Sequence, residues 1–253
     1  MFKGTSASAG IGIGKAVIVE EAELVITRNE VADAEGEIQR FRGALEKTIA
    51  ATQKMADDLA SRVGEKEAEI MQGHMMLLSD PMLTGEIESS IRNDKVNSEF
   101  AIENVCSMYA DMFASMGDEL MQQRATDMRD IKVRMQRTLM GLESVDVSLL
   151  PKGSILVAKD LTPSMTAGIN PENVSGIVTE LGGKTSHSAI LARALEIPAV
   201  VAVNGLMDAV KDGDKVVLDG STGEVFVDPE ASVEKEYEEK RKQFLKDKKE
   251  LEK

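Results

Sequence analysis

The sequence contains no tryptophan, one cysteine, two histidines and few aromatic residues, which make up 3% of its 253 residues. The single cysteine, Cys106, excludes an internal disulfide and argues against a cysteine-based metal site. No apolar run approaches the length of a membrane-spanning helix, and the amino-terminal residues lack the apolar stretch of a secretory signal. We therefore expect a protein of the reducing cytoplasm with an aliphatic core.

Basic residues are also in deficit, because 30 lysines and arginines stand against 44 aspartates and glutamates, which gives a net charge of −14. A surface this negative repels the phosphates of nucleic acid and of anionic lipid. We therefore expect neither nucleic acid nor a membrane as a partner. The same charge favours a small protein partner with a basic face.

The middle of the chain has the pattern of a helical bundle. Between residues 30 and 141 the only proline is Pro81, and apolar residues recur at helical spacing. Four helices are predicted, which end near Gly64, before Pro81, at Gly117 and near Leu142, with a stop and a restart at the proline. Helices joined by such short breaks predict an antiparallel bundle.

After Pro151 the pattern changes to short β-branched runs separated by glycines. Helices are predicted at 162–169 and 185–195, and strands at 155–158, 176–179, 199–203, 215–218 and 224–227. A further strand at 12–20 has no partner in the bundle, so we expect it to join the later sheet. The predicted fold class is α/β, with one discontinuous domain formed by 1–28 and 144–230 and the antiparallel helical bundle, 29–143, inserted into it.

The last stretch, 231–253, is dense in glutamate and lysine. Its apolar residues include Tyr237, Phe244 and Leu251, which are seven residues apart. This pattern predicts a solvated carboxy-terminal linker helix with a thin apolar seam. Because the chain stops inside this helix, we expect a further domain to follow.

Twelve of the fifteen methionines lie between Met55 and Met140, inside the predicted bundle. Methionine is flexible and suits adaptable binding surfaces. A methionine stripe at helical spacing is more often part of a bundle core, and we favour that interpretation for most of them. The methionines concerned form a cluster and a stripe: Met71, Met75, Met76 and Met82, and Met108, Met112 and Met116.

His187 lies in the segment GGKTSHSAILAR, between a predicted strand and a predicted helix. Two glycines let the backbone turn sharply and approach a ligand, and a helix amino terminus offers N–H groups and positive potential to an anion. Thr185 or Ser186 could cap the helix, and Lys184 and Arg193 could balance an anion's charge. These residues equally fit a plain turn that leads into a capped helix, so residue chemistry leaves both interpretations open.

The same segment matches, at every fixed position, the phosphohistidine signature of the phosphoenolpyruvate-utilising enzymes. The signature is shared by Enzyme I of the bacterial sugar phosphotransferase system, pyruvate phosphate dikinase and phosphoenolpyruvate synthase. The segments GTSASAGIGIGKA, QGHMMLLSDPML, QRATDMRDIKVRM and LVAKDLTPSMTAGIN resemble Enzyme I. The resemblance thus covers the whole chain and favours the amino-terminal half of Enzyme I, a swivelling phosphohistidine domain with an inserted helical subdomain.

The resemblance implies that His187 carries phosphate on Nε2, taken from phosphoenolpyruvate and passed reversibly to a histidine of the small phosphocarrier HPr. It implies that Thr166 hydrogen-bonds the imidazole, and it leaves the role of Arg193 open. The residues implied around the phosphate are Gly182, Gly183, Lys184, Thr185 and Ser186. Phosphoenolpyruvate, Mg²⁺ and the homodimer contact are implied on a carboxy-terminal barrel. We therefore expect this chain to be a monomer without cofactor or metal that does not use phosphoenolpyruvate by itself.

The resemblance also implies where HPr binds, on the first helix pair of the inserted subdomain. The positions that match its contact residues are Glu65, His74, Met76, Leu77, Leu83, Phe113, Met121 and Arg124. The acidic stretch 65–69 would attract the basic side of HPr. Glu67 stands where the family often has lysine, which leaves that charged contact open. By its neighbours alone, His74 would be a half-buried structural residue, and nothing makes it catalytic.

Two alternatives remain. A dikinase or synthase would need a nucleotide-binding glycine-rich loop, and this sequence has none. A regulatory module that kept the fold without catalysis would have an unreactive His187.

Overall fold

The structure, a computed structural model, describes residues 1–252 and divides into two compact units. The helical unit is Glu21–Ser144, and the α/β unit consists of Met1–Glu20 together with the chain from Val145 onward. The division falls at residues 20 and 144, where the sequence predicts 28 and 143. Lys253, the last residue of the predicted linker helix, lies outside the described residues.

The segment that follows the first strands belongs to the helical unit because its backbone is hydrogen-bonded there. The Asn97 side chain accepts the Asn29 N–H at 2.9 Å and donates to the Thr27 carbonyl at 3.0 Å. Arg137 donates from Nη2 to the Ala22 carbonyl at 2.6 Å. These partners lie about 70 to 115 residues away in sequence, so no local pattern marks this boundary.

Within the described residues the helical unit contains five helices, where the sequence predicts four, because the segment after Ser79-Asp80 forms a helix of its own. Asp33, Asp80 and Asp118 begin three of the helices, and each accepts a backbone N–H of the first turn. The helices are α1 (Ala34–Arg62), α2 (Glu65–Leu78), α3 (Pro81–Asp94), α4 (Ser98–Ser115) and α5 (Glu119–Met140).

The core of the helical unit is aliphatic, as expected, but it contains buried polar groups as well. Ile38, Ile87 and Ile102 are fully buried. Arg134 on α5 is 8% exposed and donates to Thr52 Oγ1 on α1 at 2.7 Å. Desolvation lowers the pKa of this guanidinium, and the hydrogen bond offsets part of the cost of burying it.

The α/β unit contains eight strands within the described residues: β1 (Phe2–Lys3), β2 (Thr5–Ser8), β3 (Ile11–Ile18), β4 (Ser154–Ala158), β5 (Val174–Thr179), β6 (Ala199–Val201), β7 (Lys215–Asp219) and β8 (Glu224–Val227). They form one sheet in the order β1-β8-β7-β3-β4-β5-β6-β2. Strands β3, β4, β5 and β6 run parallel, and β7 pairs antiparallel with β3. The early strand β3 therefore lies in the same sheet as the later strands.

The middle of this sheet is buried on both faces. Side chains alternate along a strand, and in β4 Leu156 and Ala158 enter one apolar cluster while Ile155 and Val157 enter the other. A strand covered on both faces reads as a continuous apolar run, which is the pattern that β4 shows. The helices of the unit are α6 (Pro163–Ala167), α7 (His187–Ala194), α8 (Leu206–Ala209) and α9 (Ala231–Leu251).

Helix α9 differs from the predicted solvated linker. Tyr237 is 3% exposed, packs against Phe226, and donates from its hydroxyl to Glu224 Oε2 at 2.7 Å. Lys215 and Glu234 form an ion pair. The helix is therefore fastened to the sheet, because strands β3, β7 and β8 leave an apolar strip that Tyr237 covers.

Candidate functional site

The site lies where parallel strands of the α/β unit end. The carboxyl ends of neighbouring parallel strands meet at one edge of a sheet, and loops that leave this edge commonly bind ligands. The loop after β4 leads into α6, and the loop after β5 leads into α7, which begins at His187. Helices α6 and α7 are in contact. The fold therefore brings the elements that carry Thr166 and His187 together.

The loop before His187 is shaped by Gly182 and Ser186. Gly182 has φ +101°, a left-handed conformation that favours glycine. Ser186 caps α7, because its Oγ accepts the Ala189 N–H at 3.3 Å and donates to the Gly183 carbonyl at 2.7 Å. Of the two predicted capping residues, Ser186 is the one that caps, and Thr185 is exposed. His187 is the first residue of the helix.

Arg193 holds the same loop from the other end of α7. Its Nη1 donates to the Ala7 carbonyl on β2 at 2.8 Å, and its Nη2 donates to the Lys184 carbonyl at 2.9 Å. The planar guanidinium suits two such bonds at a fixed angle. Arg193 thus ties the loop before His187 to the sheet, which gives its side chain a positioning contact.

Thr166 is buried in α6, with 2% of its surface exposed. Its hydroxyl donates to the Thr162 carbonyl at 2.8 Å. A hydroxyl that has donated its hydrogen still has lone pairs that accept. Thr166 Oγ1 can therefore serve as an acceptor for a ring N–H.

Other reactive groups are few. Burial raises the pKa of the Cys106 thiol to about 12, so the lone cysteine is a poor nucleophile. Partial desolvation raises the pKa of Asp160, which follows β4, and the Leu161 N–H that it accepts only partly offsets this. Across residues 1–252 no three histidine, cysteine or carboxylate side chains cluster in a way that could hold a metal ion. The side chains of residues 1–252 therefore offer no set of ligands that fits Mg²⁺, and no step of the chemistry on this chain runs through that ion.

Comparison with known proteins places these features in a family. The model for the N-terminal part of PEP-utilising enzymes matches residues 3–124, and the model for their mobile domain matches residues 150–223. A solution structure of Enzyme I (nEIt) is 39% identical, covers 96% of this chain and 99% of its own, and superposes with a TM-score of 0.83. The chain belongs to the family of PEP-utilising enzymes. The family resemblance seen in the sequence is thereby confirmed.

Relatives within the PEP-utilising enzymes are named phosphoenolpyruvate-protein phosphotransferase. The Bacillus subtilis protein is 42% identical over 96% of this chain and 43% of its own length, and that of Staphylococcus carnosus is 40% identical over 100% and 44%. The chain thus spans less than half the length of these curated relatives. The N-terminal domain of Enzyme 1-Nitrogen is also similar, with 26% identity, 94% and 98% coverage and a TM-score of 0.60. None of the helices between residues 1 and 252 has the length and apolarity to cross a membrane.

The residues that the sequence resemblance implies for HPr binding are spread over the helical unit. Two of them, His74 with 0% and Leu83 with 2% of the surface exposed, are buried. The structure therefore does not present either side chain on the surface, where the sequence resemblance expects them, because both face the bundle core, His74 beside Met71 and Leu78 along α2. The others are exposed or partly exposed: Glu65, Met76, Leu77, Phe113, Met121 and Arg124.

The methionine stripe of α4 also differs from the favoured interpretation. Met108, Met112 and Met116 are 55%, 44% and 54% exposed, so they are not bundle core. The buried face of α4 is formed instead by smaller residues: Ser98, Ala101, Ile102, Val105, Cys106 and Ala110. These smaller residues recur at helical spacing, and this spacing in the sequence indicates which face of α4 is buried. The methionines lie on the opposite, exposed face.

Proposed function

We propose that this chain is the phosphoryl-carrying part of a phosphoenolpyruvate-protein phosphotransferase, in which His187 accepts the phosphoryl group and passes it to a histidine of HPr. The observation that carries the proposal is the position of His187 as the first residue of α7, after Gly182 and the Ser186 cap. An imidazole is a nucleophile, and a helix amino terminus attracts the negative oxygens of phosphate. The relatives' names support the reaction class.

Thr166 has a positioning role in this proposal. Its hydroxyl hydrogen is directed to the Thr162 carbonyl, which leaves a lone pair that, in this proposal, accepts the N–H of His187 Nδ1 when the site reacts. This contact fixes the tautomer and leaves the lone pair of Nε2 available. Nε2 then attacks phosphorus, the N–P bond forms, and the bond between phosphorus and the enol oxygen of phosphoenolpyruvate breaks.

Transfer to HPr reverses the same events at His187. A ring nitrogen of HPr attacks phosphorus, the bond to Nε2 breaks, and its electron pair returns to His187. One phosphohistidine replaces another, so the exchange is close to balance and runs in either direction. The Arg193 bonds to Ala7 and Lys184 hold the loop in one geometry for both directions.

The helical unit supplies the surface for HPr in this proposal. Glu65 lies at the beginning of α2 and is exposed, and Met76 further along α2 is 70% exposed. Carboxylates attract a basic partner from a distance, and apolar side chains bind it on contact. Leu77, Phe113 and Met121, which are partly exposed, complete the apolar part.

Two phosphorylation reactions that differ only in the donor test the proposal. With phospho-HPr, we expect mass spectrometry to find one acid-labile phosphate, on His187. With phosphoenolpyruvate and Mg²⁺ but no HPr, we expect none, because the donor site is proposed on the barrel of the longer protein. An unreactive His187 would favour the regulatory module, and phosphorylation by phosphoenolpyruvate alone would place the donor site within this chain.

A further inference from the structure

His74 is the second of the chain's two histidines, and the proposed phosphoryl transfer does not use it. It lies on α2 with 0% of its surface exposed. Its Nε2 is 2.9 Å from Asp127 Oδ1 on α5, and the Asp127 side chain is 13% exposed. The pair therefore lies one layer below the surface and joins two helices of the helical unit.

The chemistry of the pair defines its tautomer. An ionised carboxylate only accepts, so the hydrogen of the bond lies on His74 Nε2. Nδ1 is also buried, and none of the residues that the structure describes offers it a hydrogen-bond partner. A buried polar ring with one unpaired nitrogen stabilises a core less than an apolar side chain of the same size. What the ring adds is a fixed orientation of α2 relative to α5, because a hydrogen bond between the two helices requires a defined distance and angle.

The orientation of α2 relative to α5 matters because both helices carry residues of the proposed HPr surface. Two residues along a helix is a rotation of about 200°, so Met76 points outward, 70% exposed, where His74 points inward. Arg124 is three residues before Asp127, on the same face of α5. A rotation of α2, or a slide along α5, would move Met76 relative to Arg124 and would also break the 2.9 Å bond.

We propose that His74 and Asp127 are positioning residues, which fix α2 against α5 and thereby set the spacing of the surface on which HPr docks. This inference rests on the proposed function only for the identity of the partner. It assigns His74 no part in the phosphoryl step. Loss of the bond weakens docking, while the rate of transfer at saturating HPr stays unchanged.

Two substitutions of His74 with similar polarity distinguish the effect of its hydrogen bond to Asp127 from the effect of burying a polar side chain. In His74→Gln the amide nitrogen takes the place of Nε2 and reaches Asp127. In His74→Asn the amide is one carbon shorter and does not reach. The control is Ser98→Ala, which removes a buried hydroxyl that bonds Glu37 Oε1 at 2.8 Å between α4 and α1, away from α2.

The readouts are HPr affinity by titration and the methyl NMR signals of Met76 and Met121. We expect the dissociation constant to rise about tenfold in His74→Asn, comparable with the loss of one buried hydrogen bond, and to return to within about twofold of the original in His74→Gln. We expect both methyl signals to shift in His74→Asn, to be restored in His74→Gln, and to stay in place in Ser98→Ala.

Three results would overturn the proposal. The first is unchanged affinity and unchanged methyl signals in His74→Asn. The second is an equal loss of affinity in His74→Asn and His74→Gln. The third is failure of both His74→Asn and His74→Leu to fold, which would make the pair a requirement of the fold. If the original chain does not bind HPr, the proposed function fails. The methyl signals then still decide whether His74 positions α2.

Discussion

The α/β unit and the helical unit hold their functional side chains in different ways. Around His187 the loop is fixed by bonds to backbone carbonyls, from Arg193 to Ala7 and Lys184 and from Ser186 to Gly183. On the helical unit the exposed candidates include flexible side chains such as Met76. The difference matches the two tasks, because transfer between atoms needs fixed geometry and recognition tolerates adaptable contacts.

The sharpest test of this division is His187→Ala. We expect phosphoryl transfer to be abolished and HPr affinity to stay the same, because the nucleophile and the docking surface belong to different units. The cost in stability should be about 1 kcal/mol or less, since the first turn of a helix tolerates alanine. Transfer from phospho-HPr and calorimetric titration with HPr measure the two outcomes. Phosphate on the variant at the original level would remove His187 from the mechanism.

The next largest effect is expected from Arg193→Lys. Lysine keeps the charge but cannot make both bonds in the fixed geometry of a guanidinium. We expect the transfer rate at saturating phospho-HPr to fall about 10- to 100-fold, as for a small displacement of a reacting group, without a change in HPr affinity. Arg241→Lys, at an exposed position on α9, is the matched control. Equal rates in both variants would leave Arg193 with no positioning role.

A smaller effect on the helical unit separates apolar contact from charge. We expect Leu77→Ala to weaken HPr binding about five- to tenfold at every salt concentration, because it removes apolar surface. Glu65→Gln should weaken binding mainly at low salt, because charge attraction is screened within about 10 Å at 0.1 M. Titrations at two ionic strengths distinguish the variants, with Leu245→Ala on α9 as control. An affinity that does not depend on salt would exclude attraction by the acidic face.

What the sequence could predict depended on whether a feature rests on neighbouring residues or on contacts between distant segments. The strands and the loop at His187 follow from local patterns, such as the apolar run 155–158 and the glycines before the helix. The boundary near residue 20 depends on bonds between Asn97 and Thr27, 70 residues apart, which no local pattern shows. The spacing of His74 with Met71 and Leu78 already indicates an inward position, but its partner Asp127 is 53 residues away on another helix and no local pattern shows it. Contacts between distant segments therefore decided the domain boundary and the partner of His74.

Asp160→Asn should have the smallest effect, and it concerns the stability of the α/β unit. Because the pKa of Asp160 is raised in the folded protein, the folded state binds its proton more tightly than the unfolded state does. Stability is then greatest below the ordinary aspartate pKa and falls as the pH rises through the raised value. Asparagine keeps the acceptor for the Leu161 N–H and has no charge to desolvate.

The variant should therefore be more stable than the original at pH 7, by about 0.5 kcal/mol or less, and the difference should vanish only well below the ordinary aspartate pKa of 3.8. The chain offers a clean probe, because it has no tryptophan and two tyrosines. In a Tyr109→Phe background, Tyr237 alone reports unfolding of the α/β unit by fluorescence in urea. Asp146→Asn is the control, since Asp146 accepts the Ser148 N–H in a comparable turn. A gain that persists unchanged at low pH would show that desolvation of the Asp160 charge is not its cause.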